Sequence, residues 1–300
     1  DFRAQKLAEI SGNVRDMGLS ACWLGNLAAL SRCASRPPVA YFDLEPLAAL
    51  AAILWSLLSQ GIGGLDLEIF TKSTPAPGSK GGLANAIVGS IQMCVMAMIL
   101  ALAIGILAGT WLAEYGGRSA YASVVRFLND VLLSAPSILV GLFVYEILVA
   151  PFHTFSGFAG SVALAMLAVP VITRTTEDVL SLQAATLREA GVALGAPLSF
   201  VIRTILWRSA SSGLLTGALL AFARISGETA PLLFTALNNQ FFSLDLRHPT
   251  ANLPVVIFNF ALSAYDDWRR LAWAGALLIA ATVLTVTVVA RIVAKEQSRS

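Results

Sequence analysis

Arg224 and Glu228 stand four residues apart inside an apolar run expected to cross a bilayer, so a helix there puts both on one face. Each would cost roughly 2.5 to 3.5 kcal/mol at the midplane if it faced lipid, so both must face protein or water. Either Arg224 lines a passage for an anion with Glu228 holding or gating it, or the two pair and fix helix packing. Ionisable groups within spans mark transport pathways more often than structure, which favours the passage. Arg174 and Glu177, three apart and following Pro170, form a second charged pair at the end of another apolar run. They either belong to the same pathway or are interfacial charges reaching water. Glu146 is a further acid in apolar surroundings, with no assigned role.

Other chemistry finds little support. The sequence contains no Gly-Lys dipeptide, so it has no phosphate-cradling P-loop and is not expected to hydrolyse ATP itself. His153 and His248 fall in separate loops without carboxylate or Cys partners at ligand spacing. Cys22, Cys33 and Cys94 form no metal-ligand or disulfide pattern. No catalytic residue, metal or cofactor is expected.

The elements that must position these charges are membrane helices. Of 300 residues, 57% are hydrophobic and 13% charged, against about a quarter charged in soluble proteins. The fold class is therefore an all-α polytopic membrane protein with about six transmembrane helices. Spans are expected at 39–60, 83–111, 126–150 with Pro136 interrupting it, 157–175 with a kink at Pro170, 213–234 with Pro231, and 271–294. Residues 1–38 form a basic leading segment with no cleavable signal pattern, and its patch Leu19–Leu30 is too short to cross. Residues 253–262 are apolar but also short, which predicts a helix lying at the surface or dipping partly in. Lys and Arg number 14 on the side that carries both ends and 5 on the other, so 1–38 and the tail 295–300 are expected in the cytoplasm and 61–82 in the periplasm. The pairs Gly105/Gly109 and Gly213/Gly217 permit close helix approach.

Between the fourth and fifth spans, residues 176–212 form a cytoplasmic loop. Thr186–Leu194 reads as a short helix with Val192 and Leu194 on its apolar surface and Arg188 and Glu189 on its wet side. Gly195 should end it and Pro197 should open the next helix, giving an elbow that can fit a partner's groove. An ordinary surface connection is the plain alternative. Glu189, Ala190, Gly191, Gly195 and Ile205 resemble the EAA loop of ABC importer permeases, E-A-A-x3-G-x9-I-x-L-P. Gly191 replaces the second Ala, and Trp207-Arg208 stand where Leu-Pro is usual.

Leu133-Ser-Ala-Pro136-Ser137, Arg174-Thr-Thr-Glu177 and above all Arg224-Ile-Ser-Gly227-Glu228-Thr-Ala-Pro231-Leu-Leu-Phe234 extend this likeness. Together with Gly81-Gly82 through Ser90, they resemble the permease subunits of bacterial phosphate-specific ABC importers, over about 61–294. The resemblance implies a type I (MetI-like) importer core over 83–294 and inorganic phosphate as cargo. It implies Arg224, Glu228, Arg174 and Glu177 in the translocation pathway and Glu189, Ala190, Gly191, Gly195 and Ile205 in ATPase coupling. It also implies partners: a second permease similar to PstC, an ATPase dimer similar to PstB, and a periplasmic phosphate-binding protein similar to PstS. Two alternatives stay open: an ABC permease for molybdate, sulfate or an amino acid, since the loop names no cargo, and a secondary transporter, for which no internal repeat is visible.

Overall fold

The computed structural model describes residues 44–76, 79, 81–117 and 119–297, with side chains between 46 and 292. The segment 1–38, its patch Leu19–Leu30, Cys22, Cys33 and the start of the 39–60 span lie outside these residues. Among the described residues all regular structure is helical. The chain falls into two units that meet in sequence between Ser56 and Leu57, inside helix α1 (Leu44–Ile62). The first unit is described only by the start of α1, whose apolar stretch Pro46–Ile62 is shorter than the roughly 20 residues a crossing needs.

In the second unit, α2 (Glu68–Thr71) precedes α3 (Ala84–Trp111), which runs on into a π-helical turn, Leu112–Gly116. The π-turn adds length to a span already long enough to cross. Then come α4 (Ala120–Ser134) and α5 (Ser137–Val144), the latter followed by a second π-turn, Tyr145–Val149. The span expected at 126–150 is interrupted at Pro136 as expected, and the interruption is a bend of 106° between these two helices. Ala135 and Pro136 are both extended, because the residue before a proline is driven out of helical geometry and Pro136 starts the next helix.

Helix α6 (Gly157–Ser181) runs on through Pro170 as a single helix. Its most apolar stretch is 72% buried, against 28% for α3 with its π-turn and 17% for α13 (Asp266–Gln297), which makes α6 the central helix. Both small-residue pairs close onto it. A Cβ on Gly105 would lie 2.8 Å from Ile172 Cβ, and one on Gly109 would lie 2.6 Å from the Thr173 carbonyl. After α7 (Ala185–Ala193), α8 (Leu198–Val201), a third π-turn (Ile202–Leu206) and α9 (Trp207–Ser209), the chain bends by 73° into α10 (Ser211–Ser226). A Cβ on Gly213 there would lie 2.6 Å from Val179 Cγ1, and Gly217 faces Thr175. Partner numbers rise together between α3 and α6 but run oppositely between α10 and α6, so α3 is parallel to α6 and α10 antiparallel. Met93, Ala97, Leu164, Leu167, Ala168, Ala221 and Ile225 fill the space among the three.

The expected fifth span, 213–234, is also broken. Helix α10 stops at Ser226, Gly227 to Thr229 leave the helix, and α11 (Ala230–Thr235) restarts with Pro231 in its first turn, where proline is tolerated. The following segment is sewn to the starts of α3 and α6. Asn85 Nδ2 donates to the Asn239 carbonyl at 2.9 Å, Gln92 Nε2 to the Leu244 carbonyl at 3.2 Å, and the Gly157 amide to the His248 carbonyl at 3.1 Å. Helix α12 (Leu253–Ala261) is the short helix expected there, capped by the Asn252 side chain, which accepts from the Val255 amide at 3.0 Å. The bundle thus has one end closed by residues 236–252 and another closed by the elbow of α7 to α9.

Candidate translocation and coupling sites

Pairing separates the predicted charges into two groups. The antiparallel register Gly213 to Val179 and Gly217 to Thr175, extended along α10, brings Arg224 level with Ala168, near the middle of the 25-residue α6. Arg224 is exposed, and among the described residues its side chain has no ion pair or hydrogen bond. The expected helix face shared with Glu228 does not form. Glu228 lies in the break after α10, half-buried, its amide donating to the Ile225 carbonyl at 3.3 Å, because Gly227 ends the helix before Glu228 can complete the turn. The packing pair is therefore absent, which leaves the arginine available to something else.

Arg174 and Glu177 do not pair with each other either. Arg174 Nε meets Asp178 Oδ2 at 3.4 Å and its Nη1 meets Asp130 Oδ1 at 4.0 Å. Glu177 takes the Arg126 Nε hydrogen bond at 2.6 Å, with its side chain 13% exposed. Each has a partner elsewhere: Asp178 lies four residues on from Arg174, and α4 offers both a base and an acid to α6. Arg174 lies about 9 Å along α6 from the level of Arg224, toward the elbow, at 1.5 Å per residue. The structure does not bring the two charged groups together. Arg126, Asp130 and Asp178 were not singled out in the sequence. The Arg174–Asp178 and Arg126–Asp130 spacings of four signal helical neighbours, whereas the pairings across helices carry no local signal. Glu146 sits exposed in the second π-turn and, among the described residues, has no partner.

The elbow is built from the motif residues in order. Helix α7 ends in a Schellman turn: the Gly195 amide donates to the Val192 carbonyl at 2.9 Å, the Ala196 amide to the Gly191 carbonyl at 3.3 Å, and Gly195 has φ of 82°. Only glycine adopts that conformation without strain. Pro197 is the N-cap of α8, one residue before the position expected, and its carbonyl accepts from Phe200 and Val201. Gly191 is buried where α7 crosses the next helix: an added Cβ would stand 2.7 Å from Val201 Cγ2 and 3.4 Å from Ile205 Cδ1. The departure from Ala at this position thus has a steric cause in Val201, and two motif residues, Gly191 and Ile205, meet in space. Glu189 and Ala190 point outward, beside exposed Val192, Leu194 (90% exposed) and Phe200.

Arg188, expected on the wet side, turns inward. Its Nε and Nη2 donate to Glu114 Oε2 and Oε1 at 2.8 and 2.6 Å. That hydrogen bonding raises the Arg188 pKa above its ordinary value, outweighing the opposing effect of burial, with the charge of Glu114 adding to it. A raised guanidinium pKa contributes stability throughout the pH range below its ordinary value, so the pair does not weaken through this group near neutrality. Trp207, standing where the motif has Leu, donates from Nε1 to Thr110 Oγ1 at 3.2 Å.

Residues 101–299 match the family model described as binding-protein-dependent transport system inner membrane component. Among curated proteins, the chain is 54% identical over 250 residues to the phosphate transport system permease protein PstA of Pasteurella multocida, covering 83% of this chain and 89% of that protein. It is 54% identical over 243 residues to the protein of the same name from Haemophilus influenzae, covering 81% and 86%. It is 33% identical to a probable PstA of Methanocaldococcus jannaschii over 73% of this chain and 78% of that protein. A solved structure of the MetNI methionine ABC transporter in an inward-facing conformation matches in fold, with a TM-score of 0.59 at 18% identity over 71% of this chain and 96% of that chain. Break, elbow and central helix therefore sit in a known permease fold, and the chain belongs to the family of binding-protein-dependent transport system inner membrane components.

Proposed function

We propose that this chain is the transmembrane permease subunit of an ATP-driven importer of inorganic phosphate, forming half of the translocation pathway. The cargo is supported by the 54% identity to phosphate transport permeases over most of the chain. Within the chain, the observation that carries the reading is Arg224, an arginine on a pathway helix with no carboxylate partner among the described residues. A unit positive charge 4 Å from an anion contributes about 4 kcal/mol at an effective dielectric near 20, against about 1 kcal/mol in water. A free arginine in a partly dehydrated cavity thus offsets much of what phosphate loses in leaving water. Glu228, in the break one turn on, limits how long the anion stays. Arg174 and Glu177 line the elbow-side end of the route, where Arg174 is already largely neutralised by Asp178 and Asp130.

ATP hydrolysis belongs to a separate ATPase dimer that grips the elbow through exposed Glu189, Ala190, Val192 and Leu194, with Gly191, Gly195 and Ile205 holding the elbow's shape. Closure of the two ATPases draws this elbow and that of a second permease together and alternates access to the cavity, which a periplasmic binding protein loads. The domain plan 39–60, 61–82, 83–294 and 295–300 rests on the apolar runs, the Lys and Arg count puts both ends in the cytoplasm, and the similarity to bacterial phosphate permeases supports an inner-membrane location.

Arg224→Gln tests the pathway: phosphate uptake should be lost while the complex still assembles, and uptake at the normal rate would reject the role. Glu189→Lys and Gly195→Trp test the elbow, since each should release the ATPase on purification while membrane insertion is unchanged. Co-purification of the ATPase with both variants would reject docking at this site. Uptake of molybdate, sulfate or an amino acid in place of phosphate would favour another cargo, and nucleotide-free transport by the purified chain in vesicles would favour a secondary transporter.

A further inference from the structure

The most extensive polar tie between the elbow and the end of α3 is made by one side chain, Arg188. Besides its two bonds to Glu114, Arg188 donates from Nη2 to the Leu180 carbonyl at 2.8 Å and from Nη1 to the Gln183 carbonyl at 2.9 Å. One guanidinium therefore joins three elements: α7, the end of α6, and the π-turn that ends α3. The Glu114 side chain is 3% exposed, so this is a carboxylate taken out of water at the end of a span. A buried ion pair is a poor way to gain stability, since apolar side chains of similar volume often hold a site as well. What a bidentate pair supplies that apolar contact does not is a fixed angle as well as a fixed distance. A second tie lies one turn back on α3, where Trp207 meets Thr110. On its other flank the same π-turn is clasped by Arg126, which donates to the Leu112 and Gly117 carbonyls at 3.3 and 3.4 Å and to Glu177 of α6 at 2.6 Å.

We propose that the Arg188–Glu114 pair is a positioning joint that makes the elbow and the end of α3 move as one piece, so that force applied to the elbow reaches the span. This rests on the reading that a separate ATPase grips the elbow. Without the pair, α7 still docks the ATPase but rotates against α3, and the stroke is lost in the slack.

The test uses the whole importer in proteoliposomes, with the second permease, ATPase and binding protein present, and measures phosphate uptake and ATP hydrolysis together. Glu114→Gln keeps the side chain's shape and removes its charge, and Arg188→Lys keeps the charge and removes the fork. In both, the ATPase should co-purify at the normal ratio and ATP hydrolysis should continue, while phosphate moved per ATP hydrolysed falls at least tenfold. Trp207→Phe, which removes only the second tie, should lower that ratio two- to threefold. The ratio is read on assembled complex and so does not depend on how much protein is made. An unchanged ratio in Glu114→Gln with the ATPase bound overturns the joint and leaves the elbow reading standing. Loss of the ATPase from Glu114→Gln also overturns it, because the pair would then shape the docking surface instead. Absence of the ATPase from the unaltered complex, or its persistence when Glu189→Lys and Gly195→Trp are introduced, rejects the elbow reading first.

Discussion

At the elbow end of the bundle, three basic groups of α4, α6 and α7 meet acids: Arg126 meets Glu177, Arg174 meets Asp178 and Asp130, and Arg188 meets Glu114, while Arg203 and Arg208, on the exposed outside of the elbow, have no acid partner among the described residues. Halfway along α6, at the level of Arg224, the arginine has no such partner among the described residues, and the nearest acid in sequence has been carried off the helix by Gly227. The two regions use the same residue types for opposite ends. Paired charges fix helices against one another and leave little field for a ligand. A charge left unpaired costs free energy in the empty protein and recovers it when an anion arrives. The helix break at 227–229 is thus what keeps Arg224 and Glu228 from forming a packing pair.

The contrast can be broken from either side. Beyond the loss of uptake expected for Arg224→Gln, supplying the missing partner should also be severe. Leu220 is exposed one turn before Arg224 on α10, so Leu220→Asp offers it a carboxylate. Uptake should fall tenfold or more with assembly intact, while Leu220→Asn, of the same shape without the charge, should keep most of it. Equal uptake by the two variants would show that the freedom of Arg224 does not matter. In the paired region, Glu177→Gln should act on stability first. It removes a charged hydrogen bond at a site 13% exposed and should cost about 2 kcal/mol, read as a lower unfolding temperature of the purified chain. The mildest change is Asp130→Asn, which weakens a 4.0 Å contact between half-exposed groups. It should cost less than about 1 kcal/mol and leave uptake within about twofold, and a larger drop would place Asp130 in the pathway itself.

Much of this organisation could be read from residue order. The apolar runs marked α3, α6 and α13, the Gly pairs marked where helices touch, and Gly195 with Pro197 marked a stop and restart that the Schellman turn realises. What the sequence left open was angle and partner. Pro136 and Gly227 announce interruptions, but whether a proline bends a helix slightly, breaks it by 106°, or leaves it continuous as at Pro170 depends on what packs around it. Arg174 and Glu177 read as partners because they are near in sequence, and each found a better one on its own helix or on α4. The Arg188–Glu114 pair joins residues 74 apart, a separation at which spacing gives no signal.

The crossing at Gly191 bears on how this protein can be recombined with its relatives. Because Val201 occupies the space that a methyl group at position 191 would need, the two residues are fitted to each other across the bend. A chimera that imports α7 with alanine at 191 while keeping Val201 would wedge the elbow open, and one that also takes a smaller residue at 201 would close it again. Residues 185–205 are therefore interchangeable only as a block.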